Sequence, residues 1–340
     1  MDSVTHIVLG ACIGEAIAGK QLGKKAMLLG AIAQSIPDID FVASFWMNTT
    51  NDLLAHRGFT HSILCTLLLT PLLAYLSQRY SKTSSLLFPK WMLFWGLQIT
   101  IHIFIDAFNA YGTGWFEPFS HYRVSFNSVY VADPLFSIWP AIACVALLVL
   151  NKLDIRRKKW AMMGMVLSSA YLVAGIFNKL LVEKDVKVSL SKQHITYSSY
   201  FTTPTPLNNL LWFVVAESDS GYYTGYRAVL DSKPIMQWRY VRRNEALFAS
   251  IPDRSEARID LENLKRFAQG YYTAEKRHDT LVFNNLRFGE TAGWASTEPH
   301  FAFYYYLQYP DANKLIVQRG RFAGWDQQVV RSLFTRIKGN

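Results

Sequence analysis

Four short stretches gather side chains able to hold a metal ion: "DSVTH" at 2–6, "PDID" at 37–40, "HRGFTHS" at 56–62 and "HIFID" at 102–106. In the last, His102 and Asp106 are four residues apart. A helix puts both on one face, where an imidazole and a carboxylate can hold one cation together. Pro37 disfavours helical geometry at Ile36, so a helix arriving there stops, and Asp38 and Asp40 fall in a short irregular stretch. Taken alone, this pair reads equally well as a helix cap and a solvated charge. In "HRGFTHS", Gly58 permits a tight turn and Thr60 suits the cap of a helix starting at His61. His56 and His61 then approach one centre from a loop and from a helix start. Arg57 beside them matches phosphate or carboxylate oxygens. His6 opens a helix with Asp2 one turn before it. By itself such a histidine reads as a satisfied interior residue, and it joins the others only through their company.

Imidazole combined with carboxylate suits zinc, manganese or iron better than magnesium or calcium. His6, Asp38, Asp40, His56, His61, His102 and Asp106 exceed what one tetrahedral ion needs, so two or more divalent ions are expected. Such ions acidify water and neutralise both oxygens of an in-line displacement, the logic of phosphoester hydrolysis. In that scheme the seven residues hold the ions, Asp38 or Asp40 can instead act as general base, and Arg57 steadies the phosphate. His121, Arg123 and Asp133 lie in or beside a later loop, where spacing does not decide between substrate binding and support. His194, His278 and His300 stand alone and read as structural or solvated. No Ser-His-Asp order, P-loop or dinucleotide fingerprint competes. Cys12, Cys65 and Cys144 are odd in number, lack a CxxC and sit in apolar runs, so they suggest neither a disulfide framework nor a zinc ribbon and read as buried small hydrophobes.

The elements that must position these groups are apolar. Segments near 61–79, 91–110, 130–150 and 160–182 are long enough for membrane spans of ~20 residues, with Pro71 kinking the first. Two shorter Gly/Ala-rich helices are expected at 4–19 and 24–36. Lys20, Lys24 and Lys25, then Arg79, Lys82 and Lys90, then Lys152, Arg156, Arg157, Lys158 and Lys159 mark three cytoplasmic loops by the positive-inside rule. The opposite, outer ends collect the seven His and Asp residues. The N-terminus is acidic, unlike a cleavable signal peptide. Beyond 183, "VKVSLSKQHITYSSYF", "LWFVVAES", "YYTGYRAVL", "TLVFNNLRF" and "HFAFYYYLQY" have strand character, and helices are expected near 256–269 and 325–338. The fold class is therefore an α-helical transmembrane bundle, four long spans plus two shorter N-terminal helices, over 1–182. A soluble α+β domain, extracytoplasmic by this orientation, follows over 183–340. Residues 1–182 hold 14 Lys/Arg against 9 Asp/Glu, and 183–340 hold 21 against 16. The basic excess is spread evenly, so no nucleic-acid partner is expected. The lipid bilayer is the expected partner, with a phospholipid as substrate.

With the four motifs in this order, the chain resembles the bacterial membrane-bound metal-dependent hydrolases, also described as LexA-regulated inner-membrane hydrolases, over about residues 1–180. More remotely it is similar to the helical zinc-dependent phospholipase C and P1-nuclease group, whose His and Asp ligands include an HxxxD helix pair. The resemblance implies a multi-pass protein of the bacterial inner membrane with His6, Asp38, Asp40, His56, His61, His102 and Asp106 as ligands. This chain lacks the second HxxxD and the extra histidines of the soluble enzymes, so the resemblance implies two ions rather than three, zinc first among them. The extension after 183 lies outside the core family. Two other readings compete. A metal-handling transporter needs ionisable groups at several depths, whereas only Glu15 lies towards the other end. A membrane-anchored binding protein would use the metal only to staple its helices.

Overall fold

A computed structural model describes residues 1–80, 86–277, 279–296, 298–308, 313 and 325–339. Seven helices come first: α1 (Ser3–Leu22), α2 (Lys24–Ser35), α3 (Thr49–Ala55), α4 (Ile63–Tyr80), α5 (Phe88–Asp106), α6 (Pro134–Val149) and α7 (Arg156–Lys192). Asp2 caps α1 by accepting from the Thr5 amide at 3.0 Å, and Asp133 caps α6 through the Leu135 amide. Such caps satisfy donors that a helix start leaves unpaired.

The tightest helix pair is α1 with α2, and its cause is in the sequence. A Cβ added at Gly10 would lie 2.4 Å from the Gly30 carbonyl oxygen, and one at Gly14 would lie 2.1 Å from that of Ala26. Only glycine lets these backbones meet. His6, Gly10 and Gly14 recur every four residues and so share the face of α1 that meets α2. Helices α4, α6 and α7 turn Leu67, Leu72, Ile142, Val145, Val166 and Phe177 outward. Meanwhile His6, Gln34, His61, Gln98, His102 and Asp106 are fully buried. Apolar outside and polar inside is the pattern lipid selects.

The expectation of four long spans is overturned. Among the described residues, one helix, α7, is long and apolar enough to cross a membrane alone, and up to three spans exist if each of two bent pairs counts as one. These pairs are Lys24–Ser35 with Pro37–Phe45 and Thr49–His61 with Ile63–Tyr80, each bent by 55°. The physical reasons differ by helix. Helix α5 has the length but carries Lys90, Gln98, His102 and Asp106. Helix α6 has 16 residues, about 24 Å at 1.5 Å per residue, short of a ~30 Å hydrocarbon core. Helix α7 has 37 residues and continues to Lys192, so residues 186–192 are helical and not the start of the expected first strand.

The chain divides into two compact units, Met1–Ala43 with Ala55–Gly175, and Ser44–Leu54 with Ile176–Asn340. The second contains β1 (Ser199–Pro204), β2 (Leu211–Ser218), β3 (Gly221–Ala228) and β4 (Arg239–Arg242), an antiparallel sheet in chain order. After α8 (Glu256–Ala268) come β5 (Tyr272–Arg277), β6 (Thr280–Glu290) and β7 (Phe301–Tyr306), a second antiparallel sheet, and then α9 (Gln327–Ile337). Val182, Val186 and Leu190 of α7 pack with Trp212 and Val214 of β2. Strands β4 and β5 were not expected from the sequence.

Candidate metal centre

Asp40 organises the loop that carries two of the histidines. The chain leaves α2 at Ser35 and runs through a 3₁₀ turn over Pro37–Phe45 bearing Asp38 and Asp40. One Asp40 carboxylate oxygen accepts from the Arg57 amide at 2.8 Å and the Thr60 hydroxyl at 2.9 Å. The other stands 2.9 Å from His56 Nδ1. The tight turn is made at Arg57, whose φ is +59°, while Gly58 keeps a φ of −87°. A left-handed arginine costs of order 1 kcal/mol and persists only where its surroundings over-determine it. Thr60 was expected to cap the next helix. Instead its hydroxyl serves Asp40, and Ser62 caps α4 by accepting from the Cys65 amide at 3.0 Å.

Four donor atoms then converge. His61 Nε2 and His102 Nε2 are 3.1 Å apart. Asp38 Oδ1 lies 3.5 Å from each, and Asp106 Oδ2 lies 3.4 Å from His61 Nε2 and 3.6 Å from His102 Nε2. An ion bound tetrahedrally at about 2.0–2.1 Å needs donors roughly 3.3 Å apart. The far side of each imidazole fixes its tautomer. His102 Nδ1 faces the Gln34 carbonyl oxygen, which can only accept. His61 Nδ1 faces the Thr60 hydroxyl oxygen at 3.0 Å and Asp40 Oδ2 at 3.4 Å. Both Nδ1 atoms therefore carry a hydrogen, and both rings turn Nε2 toward each other and toward two carboxylates. Asp106 Oδ2 is buried and makes no hydrogen bond. Arg57 Nε, 3.2 Å away, offsets charge on Asp106 Oδ2, while the two Nε2 atoms and Asp38 Oδ1 still converge, a donor set that fits a divalent metal.

A second group, Asp38, Asp40 and His56, also has its donor atoms within 4.8 Å of one another. Asp38 belongs to both groups. Its side chain is 21% exposed and that of His56 37%, so these two mark the open side of an otherwise buried centre.

His6 stands beside the four donors. Its ring stacks on His102 with centroids 3.8 Å apart. Its Nε2 lies 3.2 Å from Asp106 Oδ1 and its Nδ1 3.2 Å from Gln34 Oε1. Arg57, expected to face an anion, is buried and turned inward. It donates to Asn109 at 2.9 Å and to the Met1 carbonyl at 3.0 Å, and its Nε lies 3.2 Å from Asp106 Oδ2. The Met1 amine also pairs with Asp106. Arg123 donates to the His56 carbonyl at 2.6 Å, so it supports the loop. His121 is exposed beside Glu117. Asp133 accepts from Tyr171 at 2.8 Å while capping α6. Glu15 is held by both Nε and Nη2 of Arg157, a structural pairing. His194, at a φ of +54°, and His300 join no donor group; His278 and Lys82 lie outside the described residues.

Sequence reasoning missed Gln34 and Asn109. Gln34 accepts from or faces two of the histidines, and its amide donates to the Gln98 carbonyl at 2.9 Å, while Gln98 donates to the Gly10 carbonyl at 3.1 Å. Its signal was its place, a lone amide in a Gly/Ala helix directly before "PDID".

No solved structure matches this chain. The uncharacterized protein YfhP of Bacillus subtilis (strain 168) is 32% identical over 148 residues, covering 41% of this chain and 43% of that protein. The inner membrane protein YbcI of Escherichia coli (strain K12) is 26% identical over 122 residues, 35% of this chain and 69% of that protein. The alignment thus spans less than half of the first relative's length. Residues 1–182, which carry every residue of the centre, match the family described as YdjM inner membrane protein. The chain belongs to that inner membrane family.

Proposed function

We propose that this chain is a membrane-bound metal-dependent hydrolase acting on a phosphoester, with a phospholipid headgroup as the substrate class. The observation that carries the reading is the four converging donors with their tautomers fixed from behind. Zinc fits the donor set best, with manganese and iron next. Asp38, shared by both donor groups, supports a two-ion centre. Bound there, the metal would acidify water and offset charge on the phosphoryl oxygens.

The chain's own residues divide the remaining work. His61, His102, Asp38 and Asp106 would hold the first ion, and Asp40 and His56 with Asp38 the second. Asp40 orients both His56 and His61. Arg57 keeps Asp106 in place rather than touching substrate. His6 stacks behind His102 and sets the position of Asp106. By the loop charges the centre faces the outer leaflet of a multi-pass protein, with the C-terminal unit extracytoplasmic.

The test is hydrolysis by purified full-length protein on a panel of phosphodiesters and phospholipids, beside His61→Ala and Asp106→Ala. Metal-dependent turnover lost in both variants is the expected result. Stoichiometric metal without turnover on any ester would overturn the enzyme and favour a metal that only staples helices.

A further inference from the structure

At the end of α1 away from the His/Asp centre lies a cavity of about 400 Å³ within the first unit. Its lining includes Lys20, Lys90, Lys152, Lys158 and Arg157 against only two carboxylates, Glu15 and Asp154. Both carboxylates are already matched. Glu15 is held by Arg157 at 2.6 Å, and Asp154 by Arg156 at 2.7 Å. Arg157 also donates to the Leu147 and Leu150 carbonyls, which fixes the floor of the cavity. No carboxylate pairs with the four lysines among the described residues. The cavity is therefore a concave site with four uncompensated ammonium groups.

The loop between α6 and α7 adds an apolar rim. Leu153 and Ile155 line the same cavity and are 83% and 84% exposed. Two fully presented aliphatic side chains interleaved with Lys152 and Lys158 suit neither water alone nor a protein core. They suit the boundary where headgroup phosphate meets acyl chain. Basic pockets between helices at the cytoplasmic face are the usual seat of anionic headgroups, and positive loops mark this face as cytoplasmic.

We propose that this cavity is a binding site for the headgroup of an anionic phospholipid, with the lysines on the phosphate and Leu153 and Ile155 against the first acyl carbons. The site is separate from the metal centre and does not depend on its activity.

Full-length protein is reconstituted in vesicles of phosphatidylcholine, and association of spin-labelled phosphatidylglycerol and phosphatidylcholine is compared. Wild type should prefer phosphatidylglycerol at low salt, and the preference should shrink as salt rises. A Lys20→Gln/Lys152→Gln/Lys158→Gln protein should lose the preference by about 100-fold. The matching Lys→Arg triple should retain it. Leu153→Ser/Ile155→Ser, confined to exposed side chains, should weaken lipid association with the unfolding midpoint unchanged, which keeps the test valid if the glutamine triple fails to fold. An unchanged preference in the glutamine triple, unchanged lipid association in the serine pair, or no preference in wild type, overturns the proposal. Full displacement of the lipid by millimolar inorganic phosphate overturns the lipid assignment in favour of a free-phosphate site.

Discussion

Replacing Gly10 with alanine should damage the metal centre from a full helical turn away. The new Cβ would stand 2.4 Å from the Gly30 carbonyl oxygen and 2.7 Å from Gln34 Cγ. Ordinary contact begins at 3.4 Å, so α1 and α2 must part by about 1 Å, and overpacking of this kind costs roughly 1–3 kcal/mol. His6 lies one turn before Gly10 on α1, and Gln34 one turn after Gly30 on α2. Separation therefore moves His6 off Asp106 and the Gln34 carbonyl off His102. Metal distances tolerate only about 0.2 Å, and loss of outer-shell support typically lowers affinity 10–100-fold. The assay is zinc affinity by chelator competition together with the thermal unfolding midpoint, with Leu28→Ala as control. Leu28 is 62% exposed on α2, so its truncation should change neither quantity. A Gly10→Ala protein with wild-type affinity and midpoint would refute the coupling of helix packing to the centre.

Three further outcomes follow from single contacts. Asp40→Asn keeps the size but weakens the acceptor behind His61 and His56, so metal affinity should fall about 10–100-fold with helicity by circular dichroism retained. Glu15→Gln leaves Arg157 buried and uncompensated, and chemical denaturation should show a loss of roughly 3–5 kcal/mol with metal affinity unaltered. In the second unit, burial raises the Asp231 carboxyl, but Arg336, at 2.6 and 2.9 Å, more than offsets this and holds it below its usual value. A depressed carboxylate stabilises above its unfolded pKa of about 3.9 and loses that stability as pH falls through the folded value. Acid unfolding followed from about pH 5 downward should lose this pH-dependent part in Asp231→Asn.

The centre was more legible than the bundle around it. His102 and Asp106 announce a shared helix face by spacing alone, and Pro37 announces the end of α2. Which nitrogen faces which acceptor was not legible, because that depends on Gln34 and Thr60 arriving from other segments. Arg57 illustrates the limit. A guanidinium between two histidines reads as an anion site, yet Asn109 and Met1, distant in sequence, turn it inward. Among the elements, α1, α2, α8 and most strands follow from local pattern. The span count failed because length and overall apolarity do not show where a helix bends or stops: two segments are bent by 55° and α6 ends after 16 residues. Residues 186–192 failed for another reason. Val186, Val188 and Leu190 alternate like a strand, but Val182, Val186 and Leu190 also recur every four, and no glycine or proline interrupts the run from α7. Packing of that second set against β2 decided for helix.

The most direct measurement is the X-ray absorption spectrum of metal bound to purified full-length protein. Zinc with nitrogen and oxygen neighbours at about 2.0–2.1 Å, imidazole scattering from His61, His102 and His56 and no sulfur is the expected result. One imidazole should vanish from the first shell in His102→Ala. A metal-free protein, a sulfur-containing shell, or a spectrum unchanged in that variant would contradict it.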